Sequence, residues 1–284
     1  MFSIQFCDSQ LKKKIAARDQ FYPPEVCQEL PQFLEALERD GDINGVDYYK
    51  GDIKKISAVT FSLYYVSNTP EKIVKLIDLK VKSAELLRER FTIEDSWDDK
   101  DVIPSIPQYD VPEKIIQALE LIDRGVSNSY DLGYKLGHRG KQDRYISRHG
   151  QYAQHTLEQL KLIVRTQEGP SKIPELTEKG RLIAQAHNKD LKERLLIEAM
   201  LSYQPVWQII GAVTEGEDDL NDGLIKHLAF PEEFHGADTS NRRSQTLKNW
   251  IKWISAKSGI PIRLHRDGVQ LTIPLLYSNP EENH

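Results

Sequence analysis

The spacing of apolar residues along the chain predicts mostly helices, and this spacing is most regular in residues 239–266. One helix face there carries apolar residues at the i, i+3, i+4 and i+7 positions: Leu247, Trp250, Ile251 and Ile254. The remaining positions carry amides and cations: Asn241, Arg242, Gln245, Lys248, Asn249 and Lys252. The pattern predicts an amphipathic helix whose apolar face lies in the core and whose polar face lies in solvent.

The period of the pattern changes from helical to alternating after Gly259. Apolar and polar residues alternate on both sides of an Asp267-Gly268 turn, which is typical of a two-stranded hairpin. Arg263 lies on the polar side of its first strand. A helix followed by a hairpin is the order of elements in a winged helix-turn-helix unit.

Residues 113–188 show the same order of elements. Helices are predicted for residues 113–125, from Ser127 to Leu136 and for residues 148–163, and a Gly169-Pro170 turn joins two short strands as a wing. The third helix and the turn before it expose a polar set: Arg144, Ser147, Arg148, Gln151, Gln154 and His155.

Residues 189–284 form a second unit in this interpretation. A long helix is predicted over residues 191–213, with a kink at Pro205, and a short helix over residues 220–228. The basic helix and the hairpin described first then complete the unit.

The N-terminal 112 residues are less regular. Residues 1–22 carry Lys12, Lys13, Lys14 and Arg18 before a Pro23-Pro24 break, and they are predicted to form a basic arm. A helix is predicted over residues 31–40, a strand over 56–66 and a further helix over 71–91. An acidic, proline-rich stretch from residue 94 to 112 marks a domain boundary.

The predicted fold is therefore mainly α with small β-hairpin wings. Two winged helix-turn-helix subdomains, residues 113–188 and 189–284, follow an N-terminal and linker region of residues 1–112. The chain of 284 residues is long enough to bury a separate core in each part.

Composition narrows the classes of function. With 39% hydrophobic and 29% charged residues, no membrane-length apolar run and no apolar leader, the chain is expected to be a cytoplasmic protein without a membrane partner. Two cysteines are too few for a disulfide framework, and no metal-ligand spacing is found among the eight histidines. No metal and no cofactor are therefore predicted.

Charge is distributed unevenly. The net charge is −5, yet residues 239–266 contain seven lysines and arginines and no acid. Arginine, lysine, asparagine and glutamine together are the side chains that bind guanine, adenine and phosphate, so both polar helix faces and the arm are predicted to contact double-stranded DNA. A plain solvated surface is the alternative for each of them. Arg242 is the candidate for a bidentate contact with guanine.

Two other classes of function stay open. Asp52 and Asp78, with Lys80, could hold Mg²⁺ and activate water in an intact nuclease, although an Asp-x-Lys sequence is common by chance. A stand-alone winged-helix transcriptional regulator would share the same helices and would be expected to dimerise in response to a ligand.

Three segments resemble a known family: RHGQYAQHTLEQLKLI at residues 148–163, LTEKG at 176–180 and TSNRRSQTLKNWIKW at 239–253. They are similar to the winged-helix recognition subdomains of type IIS restriction endonucleases of the FokI-like group. The resemblance implies a monomeric module that reads a short asymmetric site, needs no cofactor for binding, and relies for cleavage on a separate C-terminal Mg²⁺-dependent nuclease domain. Nothing in this sequence resembles that nuclease domain.

Overall fold

A computed structural model describes residues 1–43, 45–94, 106–140, 142–168, 171–215, 237–262 and 264. These residues form eleven helices, a five-stranded mixed sheet and a two-stranded hairpin. The abundance of helices and the hairpin within residues 113–188 were predicted. The five-stranded sheet was not, because only one of its strands was read from the pattern. No helix in the described part of the chain has the length and apolarity needed to cross a bilayer.

The sheet and the first three helices form an N-terminal α/β unit. Its elements are β1 (Ser3–Phe6), α1 (Ser9–Ala16), α2 (Arg18–Phe21), α3 (Pro24–Asp40), β2 (Asp47–Lys50), β3 (Ile53–Ser57), β4 (Phe61–Asn68) and β5 (Ile73–Val81). The strands lie in the order β1-β5-β4-β3-β2. β1 runs parallel to β5, and all other neighbours are antiparallel.

The basic N-terminal segment is part of this unit and is not a free arm, so that prediction was wrong. Residues 3–6 pair with β5 along their whole length. The Asp8 carboxylate accepts hydrogen bonds from the backbone N–H groups of Gln10 and Leu11 at 2.6 and 2.8 Å, which starts α1. Leu11 and Ile15 are both 5% exposed in the core of the unit. The cations therefore lie on the outside of a packed helix.

The helix predicted over residues 71–91 was also wrong in its first half. Residues 73–81 are strand β5, with Val74, Leu76 and Leu79 buried, and a helix begins only at Ser83. Leu76 and Leu79 are three residues apart, and both are buried because the pairing of β4 with β5 shifts register between Tyr64 and Tyr65. The β-bulge therefore gives β5 a spacing of apolar residues that is typical of a helix.

The rest of the described chain is mainly helical. It comprises α4 (Ser83–Arg90), α5 (Pro112–Asp123), α6 (Ser129–Lys135), α7 (Asp143–Gln159), β6 (Ile163–Glu168), β7 (Ser171–Leu176), α8 (Glu178–Gln185), α9 (Lys189–Leu201), α10 (Gln204–Glu215) and α11 (Ala237–Ser258). Buried apolar residues from Leu86 to Ile260 form one continuous core that spans both predicted winged-helix units.

The long helix predicted over residues 191–213 is two helices. α9 ends at Leu201 and α10 begins at Gln204, so Pro205 lies in the first turn of α10 instead of at a kink. Proline is well tolerated there because an N–H in the first turn has no acceptor within the helix. The short helix predicted over residues 220–228 and the hairpin after residue 264 lie outside the described residues.

The two cores are joined through α4. Arg90 donates to both carboxylate oxygens of Glu25 on α3, at 2.6 to 3.0 Å, and to the backbone oxygen of Ser258 at the end of α11, at 2.9 Å. The Ser83 hydroxyl donates to the Pro261 carbonyl at 2.6 Å. One helix therefore holds the end of α11 against the α/β unit.

Candidate functional site

Helix α7 is fixed by an unusually close contact with α6. A Cβ added at Gly150 of α7 would lie 1.8 Å from the Ser129 carbonyl oxygen, and one added at Gly133 of α6 would lie 2.1 Å from that of Ile146. Only glycine fits at both positions, so the two backbones touch where the helices cross. This contact defines which face of α7 is left for solvent.

That solvent face carries a row of donors. Arg144, Arg148, Gln151 and His155 are three or four residues apart, so they follow one another on the helix. The first three are exposed, and His155 is half-buried. The Arg148 Nε donates to the Tyr152 hydroxyl at 2.5 Å, which holds the guanidinium against the helix surface. Burial beside Arg165 lowers the pKa of His155.

Two polar residues predicted for this face lie elsewhere. Gln154 is 5% exposed, and its Nε2 donates to the Ser127 carbonyl at 3.2 Å, so its assignment as a DNA contact was wrong. Ser147 is half-buried, with its hydroxyl 2.9 Å from that of Ser129 on α6. Both side chains help to hold α7 against α6 and the residues before it.

Two stacked histidine rings join the segment after α6 to α7. His138 in the turn lies parallel to His149 of α7, with ring centroids 4.1 Å apart and an angle of 11° between the planes. Burial, with charge from His149, lowers the pKa of His138 to about 4, and burial also lowers the pKa of His149. Both rings are therefore neutral near pH 7, and as neutral rings they can stack.

The outer face of α11 is only partly available. Gln245 donates to the Asn249 side-chain oxygen at 2.7 Å, and Asn249 donates to the Asp110 carboxylate at 2.9 Å. The Trp253 Nε1 donates to Glu113 at 2.8 Å. Asn241, Arg242 and Lys252 are exposed, and Lys248 is half-buried. Two acids from earlier in the chain thus accept hydrogen bonds from donors on this side of α11.

The other predicted contact residues do not join these helices. Lys12 and Lys13 are exposed and Lys14 is half-buried on α1, and Arg18 begins α2 in the α/β unit. No hydrogen bond or ion pair of the described residues connects them with α7. Arg263 lies outside the described residues.

The nuclease alternative gains no support. Asp52 lies in the turn between β2 and β3, whereas Asp78 lies within β5, two strands away. The register places Asp78 beside Tyr64 and Tyr64 beside Lys55, so Asp52 is separated from Asp78 by two strand spacings and by three residues along the chain from Lys55. Among the described residues, no cluster of three His, Cys, Asp or Glu side chains could hold a metal.

A polar cleft of about 550 Å³ opens beside the C-terminal half of α7. Its walls come from the start of α6, from α7, β6 and α11, and from the segment before α5. The donors that line it include Gln108, Asn128, Gln151, His155, Arg165 and Arg243. Neither Arg165 nor Arg243 was among the predicted site residues. Strand and helix periodicity carry no signal for such a cleft, because its residues come from five separate segments.

These features describe a helical domain built around a glycine-mediated helix crossing and a neighbouring polar cleft. The family model for a domain of unknown function, DUF7226, matches residues 115–258, and the chain belongs to this family. The match runs from within α5 to the end of α11, so it contains both predicted recognition helices and most of the cleft lining, but not Ile106 and Gln108. No curated protein and no solved structure matches the chain.

Proposed function

We propose that residues 112–185 form a winged helix-turn-helix unit that binds duplex DNA through the outer row of α7. The observation that carries this proposal is the helix crossing at Gly133 and Gly150, which turns Arg144, Arg148 and Gln151 away from the core. A helix held in this way can enter the major groove without rearranging.

The order of the elements supports the proposal. Helices α5, α6 and α7 are followed by the antiparallel hairpin β6–β7, as in a winged helix. The turn between α6 and α7 is seven residues long, which exceeds the three or four of a simple helix-turn-helix. His138, within this connection, stacks on His149 of α7.

The chemistry of the α7 row suits a duplex. Arginine donates in pairs to guanine or to phosphate, and glutamine recognises adenine in the same groove. Arg242 and Lys252, which remain exposed on α11, would add contacts to the same partner. The resemblance to type IIS recognition subdomains extends this proposal. The chain would be the sequence-specific recognition module of a restriction endonuclease, and it would read its DNA site without a metal ion.

Duplex binding by the metal-free chain is the test. Fluorescence anisotropy with site-selected duplexes should show saturable binding, and log affinity should fall linearly with log salt at about 0.9 per neutralised phosphate. The Arg144→Gln/Arg148→Gln double variant should lose about tenfold or more in affinity for the selected site. Its salt slope should also become smaller.

Arg39→Gln is the matched control, because Arg39 is an exposed guanidinium on α3, in the other unit, and is paired with Asp40. It should bind like the wild type. Equal affinity of the α7 double variant and the wild type, with both folded, would remove α7 as the DNA-contacting helix. Mg²⁺-dependent cutting of plasmid by this chain would instead restore the nuclease alternative.

A further inference from the structure

Exposed aromatic side chains surround the connection between α6 and α7. Three tyrosines there keep much of their surface in solvent: Tyr130 is 37% exposed, Tyr134 is 47% exposed and Tyr145 is 50% exposed. Tyr130 and Tyr134 lie one turn apart on α6, with ring centroids separated by 6.4 Å and planes inclined by 15°. Single exposed rings are common on proteins, whereas a group of neighbouring ones marks an interaction site. We call these three side chains the tyrosine patch.

Contacts along the connection join the tyrosine patch into one surface. The Arg139 guanidinium lies over the Tyr134 ring, 4.0 Å from its centroid. Its Nη1 donates to the backbone oxygens of Tyr134 and His138, at 2.5 and 2.9 Å. Tyr145 packs over Gly140, the residue that follows Arg139, because a Cβ added there would lie 2.9 Å from the ring. The guanidinium plane and the rings are therefore supported by the fold before a partner binds.

The charges beside the tyrosine patch favour an anionic partner. Lys135 and Arg139 are exposed, and neither forms an ion pair with any residue that the structure describes. Asp131 accepts a hydrogen bond from the N-cap side chain of α6 at 2.5 Å, and Asp143 lies close enough to Tyr130 to raise the pKa of its hydroxyl. The two cations can therefore attract the phosphates of a nucleic acid.

The planar groups of this surface restrict the partner further. Unpaired bases stack on tyrosine rings and on arginine guanidinium planes, and the stacking tolerates every base because each has a π-face. In a duplex the bases stack on one another, so their faces cannot reach a protein surface. A single strand can present its bases to the rings and its phosphates to the cations together.

We infer that the tyrosine patch, with Lys135 and Arg139 beside it, binds unpaired bases of a single-stranded nucleic acid. DNA and RNA strands present the same bases and phosphates, so the test includes both. The inference goes beyond the proposed function, because it uses other side chains and an unpaired strand. It does not depend on duplex binding by α7.

The test is fluorescence anisotropy of the full chain with oligothymidylate and oligouridylate strands of about 15 nucleotides. Saturable binding is expected, and the tighter of the two strands identifies the sugar that the surface accepts. An abasic DNA strand of the same length keeps the phosphates but lacks the bases, so it should bind about tenfold more weakly. Equal affinity with and without bases would overturn the inference, because charge alone would then explain the binding.

Variants of Tyr134 test the ring itself. Tyr134→Leu keeps an apolar side chain but removes the aromatic plane, so the affinity for the single strand should fall about fivefold or more. Tyr134→Phe keeps the plane and should bind like the wild type. Tyr48→Leu is the matched control, because Tyr48 is 72% exposed on β2 in the other unit. Equal affinity of the wild type and a Tyr134→Leu variant that is folded by circular dichroism would overturn the inference.

Gln151→Ala separates this inference from the proposed function. It removes a proposed duplex contact of α7 without changing charge, so it should weaken duplex binding and leave single-strand binding unchanged. Tyr134→Leu should have the reverse effect. Loss of both activities in Gln151→Ala would place the single strand on α7 and overturn the inference, whereas failure of duplex binding alone would leave it intact. A dimer that Tyr134→Leu dissociates, seen by sedimentation, would assign the patch to a second copy of the chain instead.

Discussion

Helices α7 and α11 have similar sequence patterns, yet the fold uses their polar faces differently. On α7 the exposed row faces solvent, whereas buried Gln154 bonds to Ser127 before α6 and half-buried Ser147 bonds to Ser129 at its start. On α11 the middle of the polar face is bonded to Asp110 and Glu113, residues from far earlier in the sequence. A basic helix is therefore free to bind nucleic acid only if no distant acid reaches it.

Helix α1 also shows that a run of cations does not by itself define the role of a helix. Its lysines looked like an arm because the cations are consecutive, but Leu11 and Ile15 anchor the helix in the α/β core. The three basic helices differ in the contacts that cover them, and four predictions test these differences.

The largest effect is expected at the helix crossing that orients α7. Gly150→Ala places a methyl group against a backbone oxygen that cannot move aside, so α6 and α7 must separate. The variant should lose about 3 kcal/mol or more of unfolding free energy, measured by chemical denaturation. Gly211→Ala on α10 is the control, since an added Cβ meets no atom of the described residues within 4 Å there. Equal stability of the two variants would mean that α7 is not held by this contact.

A somewhat smaller loss is expected at the base of α1. Leu11→Ala removes a buried side chain, and the cavity should lower the unfolding free energy by about 2 to 3 kcal/mol. Lys13→Ala on the same helix removes an exposed side chain and should leave stability nearly unchanged. If thermal unfolding showed no difference between these variants, residues 1–18 would behave as an arm after all.

A loss of about 1 kcal/mol is expected from Asn249→Ala, because it leaves the Asp110 carboxylate without its amide donor. Its affinity for duplex DNA should change little.

Gln151→Ala on α7 should have the opposite effect: the unfolding free energy should stay the same, and the affinity for the selected duplex should fall. Lys252→Ala removes an exposed side chain of α11 and is the control for stability. Base preference that changes in Asn249→Ala would show that α11 reads DNA as α7 is proposed to.

Much of the helical part could be predicted from the sequence. Apolar residues at helical spacing located α5, α7 and α11, and the Gly169-Pro170 turn located the hairpin, because these signals arise from the local chain. Most strands of the sheet were not predicted, and the cause also lies in the local sequence. The apolar runs of β4 and β5 are long, and the bulge opposite Tyr64 and Tyr65 changes the spacing of buried residues in β5. Both features resemble the sequence pattern of a buried helix.

The site was predicted less completely, since it depends on contacts between distant residues. The exposure of Arg144, Arg148 and Gln151 was predicted because helix periodicity alone determines which positions face solvent, and their contact with DNA stays a prediction. Gln154 was misassigned because the carbonyl that it meets belongs to Ser127, before the preceding helix. The cleft lined by Arg165 and Arg243 forms only because β6 and α11 lie close together. The spacing of residues in the sequence does not predict this proximity.

The smallest effect concerns the stacked histidines, which α7 has and α11 lacks. Burial lowers the pKa of His138 to about 4 and lowers that of His149, so the unfolded chain binds protons that the folded chain does not. This stability is fully present above the unfolded pKa near 6.5 and is lost as pH falls toward 4. Because the rings are partly solvated, replacing His149 with Gln should reduce the drop in melting temperature between pH 7.5 and 5 by only about 1 to 3 °C. His187→Gln, at an exposed position, should leave the drop unchanged, and an identical drop in both variants would show that the His138–His149 stack does not contribute to this pH dependence.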